Sequence, residues 1–302
     1  MNREIAMPFH PTCFDIFTRL SKQHLGCIDI HGLMSWRNLG FRGDPNRNFS
    51  QDENVRRATE QMWAHHRRSE YLAANPLYIP ALALILCAAV QDDPKFSAQN
   101  GAFAIPQVRQ SSRRQNTVLQ DPFLKLPQEL REHIVGYLDS PDIAPLRLAS
   151  RAFQQLPVSL WYTLLRRETP WLWEVWSDHK PLLWTALEVP WIKAEEKERQ
   201  EYAKDLERRR NVVKQEMPEI LEEWNNGEQG YAGPDAKKEA QKLVETVQML
   251  PRDRTNWYQL YRDITVHWKE LRGLWNRERI WRDVEEIVGQ IKMLREEGKI
   301  ED

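Results

Sequence analysis

Four side chains near the start of the sequence have the spacing of metal ligands. Two residues separate His10 from Cys13, two separate His24 from Cys27, and ten lie between the pairs. Imidazole and thiolate are the donors of structural zinc sites, so this set could supply four tetrahedral ligands. Cys13, however, stands in an apolar stripe with Phe14, Ile16, Phe17 and Leu20. That setting suits a buried structural cysteine better than a ligand. No metal and no cofactor is therefore expected. His65-His66 has no partner at ligand spacing and reads as surface. Glu195-Glu196 and Glu285-Glu286 lie on charged helical stretches, where carboxylates are solvated by default, and nothing in their setting favours general-acid work. No Gly-rich phosphate loop, nucleophile elbow or zinc-protease helix motif occurs. The chain is not expected to be an enzyme. Six of the thirteen tryptophans crowd between Trp161 and Trp191. They could stack bases or sugars, but Pro170, Pro181 and their apolar neighbours favour core or interface packing.

The elements that would position these residues are helices. The 302-residue chain carries 43 basic against 44 acidic residues, so no global field favours nucleic acid or an anionic membrane. Three cysteines make no disulfide framework, and without a secretory leader a reducing compartment, cytoplasm and/or nucleus, is expected. The longest apolar run, Leu77 to Val90, is 14 residues, the length of a buried core helix rather than a membrane span.

Between Asp121 and Leu165 three short amphipathic helices can be drawn. The first has Pro127 at an early helical position and Glu129 in its first turn, where the helix dipole favours an anion. Its apolar face is Leu130, Ile134, Val135 and Leu138. Ser140-Pro141-Asp142 breaks the chain and caps the second helix, with Ile143, Leu146, Ala149 and Phe153. Pro145 is tolerated only in a first turn, which puts the start of that helix near Asp142. After Leu156-Pro157 the third helix carries Leu160, Trp161, Leu164 and Leu165.

This pattern resembles the F-box, a small helical module that docks onto the Skp-type adaptor of cullin-based (SCF) ubiquitin ligases. Leu126-Pro127-Gln128-Glu129-Leu130 is similar to its opening LPxEL. Asp142-Ile143 with Leu146-Arg147-Leu148-Ala149-Ser150-Arg151-Ala152-Phe153 is similar to its second block, and Leu160-Trp161 to its closing LW. Two further stretches resemble segments of filamentous-fungal F-box proteins. One is Pro8-Phe9-His10-Pro11-Thr12-Cys13-Phe14 with Ile28-Asp29-Ile30. The other comprises Trp257 to Tyr261 and Asn276-Arg277-Glu278-Arg279-Ile280-Trp281. Such proteins usually carry more residues ahead of the first segment, so a shortened N-terminus is left open.

Along the rest of the chain, residues 1–90 read as an N-terminal helical region. Val55 to Glu70 is a weakly amphipathic helix within it and Ala81 to Val90 a buried one; Asp44-Pro45-Asn46 is a turn. Residues 91–120 read as a polar linker, whose Arg109, Arg113 and Arg114 are solvated rather than a nuclear-import signal. Residues 121–167 are the F-box-like stretch, and 168–302 a Trp-rich helical region. There Ala194 to Trp224 is a long charged helix, with Glu195–Arg199 and Asp205–Arg209 spaced to pair and Pro218 set to kink or restart it. Three helices follow, over Pro234–Leu250, Asn256–Leu271 and Asn276–Glu297, the last ended by Gly298.

The expected fold is all-α, a three-helix F-box module embedded in a larger irregular helical protein. A unit of some 45 residues gains only about 3–5 kcal/mol from its own core. Its apolar residues exceed what that core can hide, so some must face a partner or the rest of the chain. The resemblance implies that Leu126, Pro127, Leu130, Ile134, Leu138, Ile143, Leu146, Leu148, Phe153, Leu160 and Trp161 bind the Skp-type adaptor and, through it, a cullin. It implies that the flanking helices hold a protein substrate of unknown identity for ubiquitin transfer. The alternatives are an F-box protein acting outside ubiquitin ligases, and a zinc- or nucleic-acid-binding regulator.

Overall fold

The computed structural model describes residues 10–40, 50, 52–60, 67–98, 121–227, 230–246 and 249–300. Among them are twelve α-helices, short 3-10 turns and no strand; one isolated bridge joins Val90 to Thr255. The helices are α1 (Pro11–Leu25), α2 (Ile30–Gly40), α3 (Glu53–Glu60), α4 (Pro80–Ala89), α5 (Gln128–Gly136) and α6 (Ser140–Ala149). They continue with α7 (Val158–Glu168), α8 (Val189–Glu216), α9 (Leu221–Gly227), α10 (Ala236–Thr246), α11 (Trp257–Val266) and α12 (Arg272–Glu296). No described helix is long and apolar enough to cross a membrane. Two compact units are formed. One is Ile16–His179 with Gln248–Asp302; the other is Phe9–Asp15 with Lys180–Val247.

In the first unit the organising element is α12. Leu274, Ile280, Trp281, Val284, Val288 and Ile291 recur at helical spacing and are all buried. Helix α2 packs closely on it. Asp29 accepts from Gly32 N at 2.7 Å to cap α2, and a Cβ on Gly32 would lie 2.7 Å from the Ile291 side chain. At the other end Trp275 stacks on Tyr71 at 4.4 Å, and the Tyr71 hydroxyl donates to Asp52 at 2.7 Å. Burial, then that bond, pushes the Tyr71 phenol up to about 12. Asn276 Nδ2 donates to Ala74 O at 2.8 Å.

Arg277, fully buried, ties the unit together. Its guanidinium pairs with the buried Glu174 at 2.9 Å and donates to Pro76 O at 2.6 Å. It lies 3.7 Å from the centre of the buried Trp173 ring, over which Arg19 also sits at 4.4 Å. A buried cation is tolerable only when paired and hydrogen-bonded this fully. The Asn-Arg-x-Arg-Ile-Trp motif at 276–281 is thus a packing motif, since Asn276, Arg277, Ile280 and Trp281 are all interior.

The second unit is built on α8. Both spaced pairs form, Arg199–Glu195 and Arg209–Asp205, each at 2.6 Å. Glu195 also accepts from Ala236 N at 2.9 Å, fastening α10. Ala186, Ala240 and Val244 form a small buried cluster with Leu187 against it. Pro218 ends α8 as expected: a 3-10 turn over Pro218–Ile220 separates it from α9.

Several sequence expectations are corrected. Of the helix expected over Val55 to Glu70, α3 covers the described residues to Glu60 and residues 67–70 are turn and 3-10 rather than α-helix; residues 61–66, with His65 and His66, lie outside the described residues. So do Asp44-Pro45-Asn46, residues 99–120 and their three arginines. Helix α4 was expected to be buried. It covers Leu82 and Ala89 but leaves Leu84 at 74 % exposed, because its sequence is apolar all round while one side alone meets α11. Gly298, at φ +68, follows α12 as expected, and Gly26, at φ +77, follows α1.

Candidate functional site

The stretch from Asp121 to Glu168 folds as the 3-10 turn Pro122–Lys125 followed by α5, α6, the turn Arg151–Phe153 and α7. Pro127 stands just ahead of α5, at its N-cap, where its missing N–H costs nothing. Asp121 ties the start of the module to the turn between α6 and α7. Its carboxylate accepts from Phe123 N at 3.0 Å, from Ser150 Oγ at 2.6 Å and from Ala152 N at 3.1 Å. Burial raises the Asp121 carboxyl, but these bonds and one from the Arg151 amide outweigh it and hold the group below its usual range. Phe123 meets Phe153 edge-on at 5.3 Å, and Ile143, Phe153, Leu164 and Leu165 are buried in the centre.

The turn between α5 and α6 is fixed from the end of α7. Glu168 accepts from both Ser140 N and Ser140 Oγ at 2.7 Å, and Tyr261 of α11 donates to Ser140 Oγ at 2.7 Å. Arg167 donates to Gly136 O at 2.8 Å and to Leu138 O, and pairs with Asp139 at 3.0 Å. Ser140 was expected to cap its own helix; Asp139 holds the N-cap position, and the Ser140 hydroxyl serves Glu168 instead. Helix α6 begins at Ser140, not near Asp142, and keeps Pro145 inside it. Pro141 and Pro145 are both exposed, so water can take the carbonyl that Pro145 has no N–H to serve.

The F-box-like family model matches residues 123–167. The chain therefore carries an F-box-like domain, which takes in α5, α6 and nearly all of α7. The mitochondrial ATP-dependent RNA helicase mss116 of Aspergillus oryzae is 43 % identical over 51 residues, which cover 17 % of this chain and 8 % of the helicase. The chain thus spans less than a tenth of that relative's length. No solved structure matches the chain.

The eleven residues singled out from the sequence divide by exposure. In the F-box-like domain Leu148 is 90 % and Leu130 51 % exposed, and Pro127 is also exposed. Leu126, Ile134, Leu138 and Leu146 are half-buried. Ile143, Phe153, Leu160 and Trp161 are buried within the chain. Trp161 packs on Tyr258 and Tyr261 of α11, each at 5.1 Å between ring centres. Two exposed apolar residues were missed. Tyr137, 77 % exposed, lies seven residues after Leu130, a helical repeat that the sequence did offer. Leu124, 43 % exposed, sits in the 3-10 turn, where no periodicity marks it. The sequence also gave no sign that Asp121, Arg167, Glu168 and Tyr261 position the module, because their partners are distant in the chain.

The two His/Cys pairs do not meet. His10 and Cys13 stand at the start of α1, and His24 and Cys27 at its end. His10 bonds the Thr12 hydroxyl, and His24 lies 3.9 Å from Glu285. Among the described residues no three His, Cys, Asp or Glu side chains gather to hold a metal ion.

Proposed function

We propose that this chain is a substrate-recognition subunit of an SCF-type ubiquitin ligase, of the filamentous-fungal F-box type, working in the cytoplasm and/or nucleus. The observation that carries the reading is the F-box-like domain at 123–167 whose α5 and α6 leave Leu130, Tyr137 and Leu148 uncovered. Leucines that exposed gain about 1.5–3 kcal/mol each when a partner buries them fully. In this reading Leu126, Pro127, Leu130, Ile134, Leu138, Leu146 and Leu148 form the face that docks the Skp-type adaptor, which brings the cullin. Ile143, Phe153, Leu160 and Trp161 act from beneath, holding that face in shape. The chain supplies proximity, and the transfer chemistry belongs to the recruited conjugating enzyme. The matched Aspergillus oryzae sequence favours the fungal assignment; its helicase activity is not carried over, since the shared residues are 8 % of it.

The test is affinity purification of the full chain followed by mass spectrometry, wild type beside Leu130→Asp. The Skp-type adaptor and cullin are expected with the wild type and lost from the variant, while client proteins stay. Adaptor retained by Leu130→Asp would defeat this docking face. Adaptor without cullin would defeat the ligase assignment.

A further inference from the structure

Beside the F-box-like domain opens a cleft of about 420 Å³ in the first unit. That is within the size range of pockets that hold a small ligand or one large side chain. Its walls include Trp171, Tyr261, Ile264 and Trp268, and two carboxylates reach it, Glu168 and Glu278. The Trp171 and Trp268 rings stand 5.6 Å apart and inclined at 48°, so their faces diverge rather than close on each other. Both oxygens of Glu168 are engaged by Ser140. Glu278 is bonded to Arg282, whose side chain is 71 % exposed while that of Glu278 is only 18 %. Burial raises the Glu278 carboxyl and Arg282 only partly offsets it, so this anion has lost water without full compensation.

The same unit shows what such groups recognise. Where an indole face and a carboxylate adjoin in the interior, at Trp173 and Glu174, an arginine fills the place, 3.7 Å from the ring centre and 2.9 Å from the carboxylate. The cleft offers the half-buried Trp268 indole, backed by the buried Trp171, and a carboxylate in an open setting. An apolar side chain entering it would desolvate Glu278 further with nothing to pair it. An anion would meet two carboxylates. A lysine ammonium is strongly hydrated and cannot stack, whereas a planar guanidinium lies on an indole and meets a carboxylate with a fork of donors.

We propose that the cleft receives an arginine side chain from a client protein, its guanidinium against the Trp268 ring and on the Glu278 carboxylate in place of Arg282. This rests on the reading of the chain as a client-recruiting subunit and names one feature of the client.

The test is calorimetric titration of the full chain with the blocked peptide acetyl-Gly-Arg-Gly-amide and with its neutral citrulline counterpart. The arginine peptide is expected to bind about tenfold more tightly, and added salt to narrow the gap. Glu278→Gln should abolish the preference. Arg282→Gln, by freeing Glu278, should tighten the arginine peptide by about threefold. Equal binding of the two peptides, no saturable binding, or a preference that survives Glu278→Gln would overturn the proposal. If Glu278→Gln does not melt as a folded protein, Arg282→Gln decides, and its failure to tighten binding overturns the proposal. Adaptor capture is measured on the same samples. Adaptor captured without an arginine preference defeats the cleft alone; the preference without adaptor defeats the ligase reading alone.

Discussion

Leu148→Ala and Ile143→Ala sit five residues apart on the same helix and should do opposite things. Leu148 is 90 % exposed, so truncating it removes little that the free chain has buried. Its value to a partner is nearly that of a whole leucine, about 1.5–2.5 kcal/mol when the exposed fraction scales the burial term. The expected outcome is an affinity for the Skp-type adaptor about 10- to 70-fold weaker. The melting midpoint should not move. Leu130, 51 % exposed, has about half as much area left to bury, and Leu130→Ala should weaken adaptor binding only about fivefold. Ile143 is 1 % exposed and already spent on the interior. Ile143→Ala should cost about 2–5 kcal/mol of stability through the cavity it leaves. Any loss of affinity there should follow the fraction unfolded. The assays are biolayer interferometry against purified adaptor and thermal melting of the same samples. An affinity unchanged in Leu148→Ala, or an order of effects that follows burial rather than exposure, would refute the argument.

Arg277→Met strands the buried Glu174 and the Pro76 carbonyl. It should cost about 3–5 kcal/mol, roughly 6–20 °C in melting midpoint, and Glu174→Gln in the same chain should recover part of it; a loss under about 1 kcal/mol would contradict the pairing. The lowered Asp121 carboxyl makes the folded state hold its proton less tightly than the unfolded one. Its contribution is complete above the usual carboxylate range and lost as pH falls through the lowered folded value, so Asp121→Asn should flatten the acid limb of the stability profile; an unchanged limb in acid titrations followed by circular dichroism counts against it. Two glycines of α12 should respond with opposite signs. A Cβ on Gly273 would meet the Asn75 carbonyl oxygen at 2.3 Å, so Gly273→Ala should destabilise by about 1–3 kcal/mol, while Gly289→Ala, with nothing within 4 Å, should stabilise by about 0.5–1 kcal/mol in urea unfolding.

The all-α class and most helices were legible because their signals are local. Gly26 and Gly298 mark helix ends, Pro218 splits a charged helix, and Glu195–Arg199 lies at the spacing that pairs. What failed was everything decided by partners far away in the chain. The apolar run of α4 looked interior because composition cannot say how many sides a neighbour covers, and Leu84 is on an open one. Asn276-Arg277 opens the helix expected over Asn276–Glu297, and nothing local marks it as interior. It is buried because Glu174 and the 72–77 carbonyls, about a hundred and two hundred residues away, satisfy it. Likewise the periodicity in α5 and α6 identifies apolar positions without separating Ile143, turned inward, from Leu148, turned outward. Periodicity reports a face; only the packed neighbours say which face the chain has kept for itself.

That division explains how so small a module can afford exposed leucines. Its inner face is closed by the rest of the unit. Trp161 lies against Tyr258 and Tyr261, and Tyr261 also donates to Ser140, which Glu168 holds by two bonds. Arg167 fixes the carbonyls of the α5–α6 turn from the same side. The start of α6, the helix that carries Leu148, is therefore set by α7 and α11 rather than by α6 itself. Glu168 and Tyr261 also line the cleft assigned to the client arginine. A ligand that draws on either group must act on the Ser140 bonds, and by reciprocity anything that stiffens the α5–α6 turn acts back on the cleft. In the proposed reading, docking face and cleft are joined by one short hydrogen-bonded chain, Tyr261 to Ser140 to Glu168, and Tyr261→Phe breaks it at its first link without removing an aromatic ring from either side.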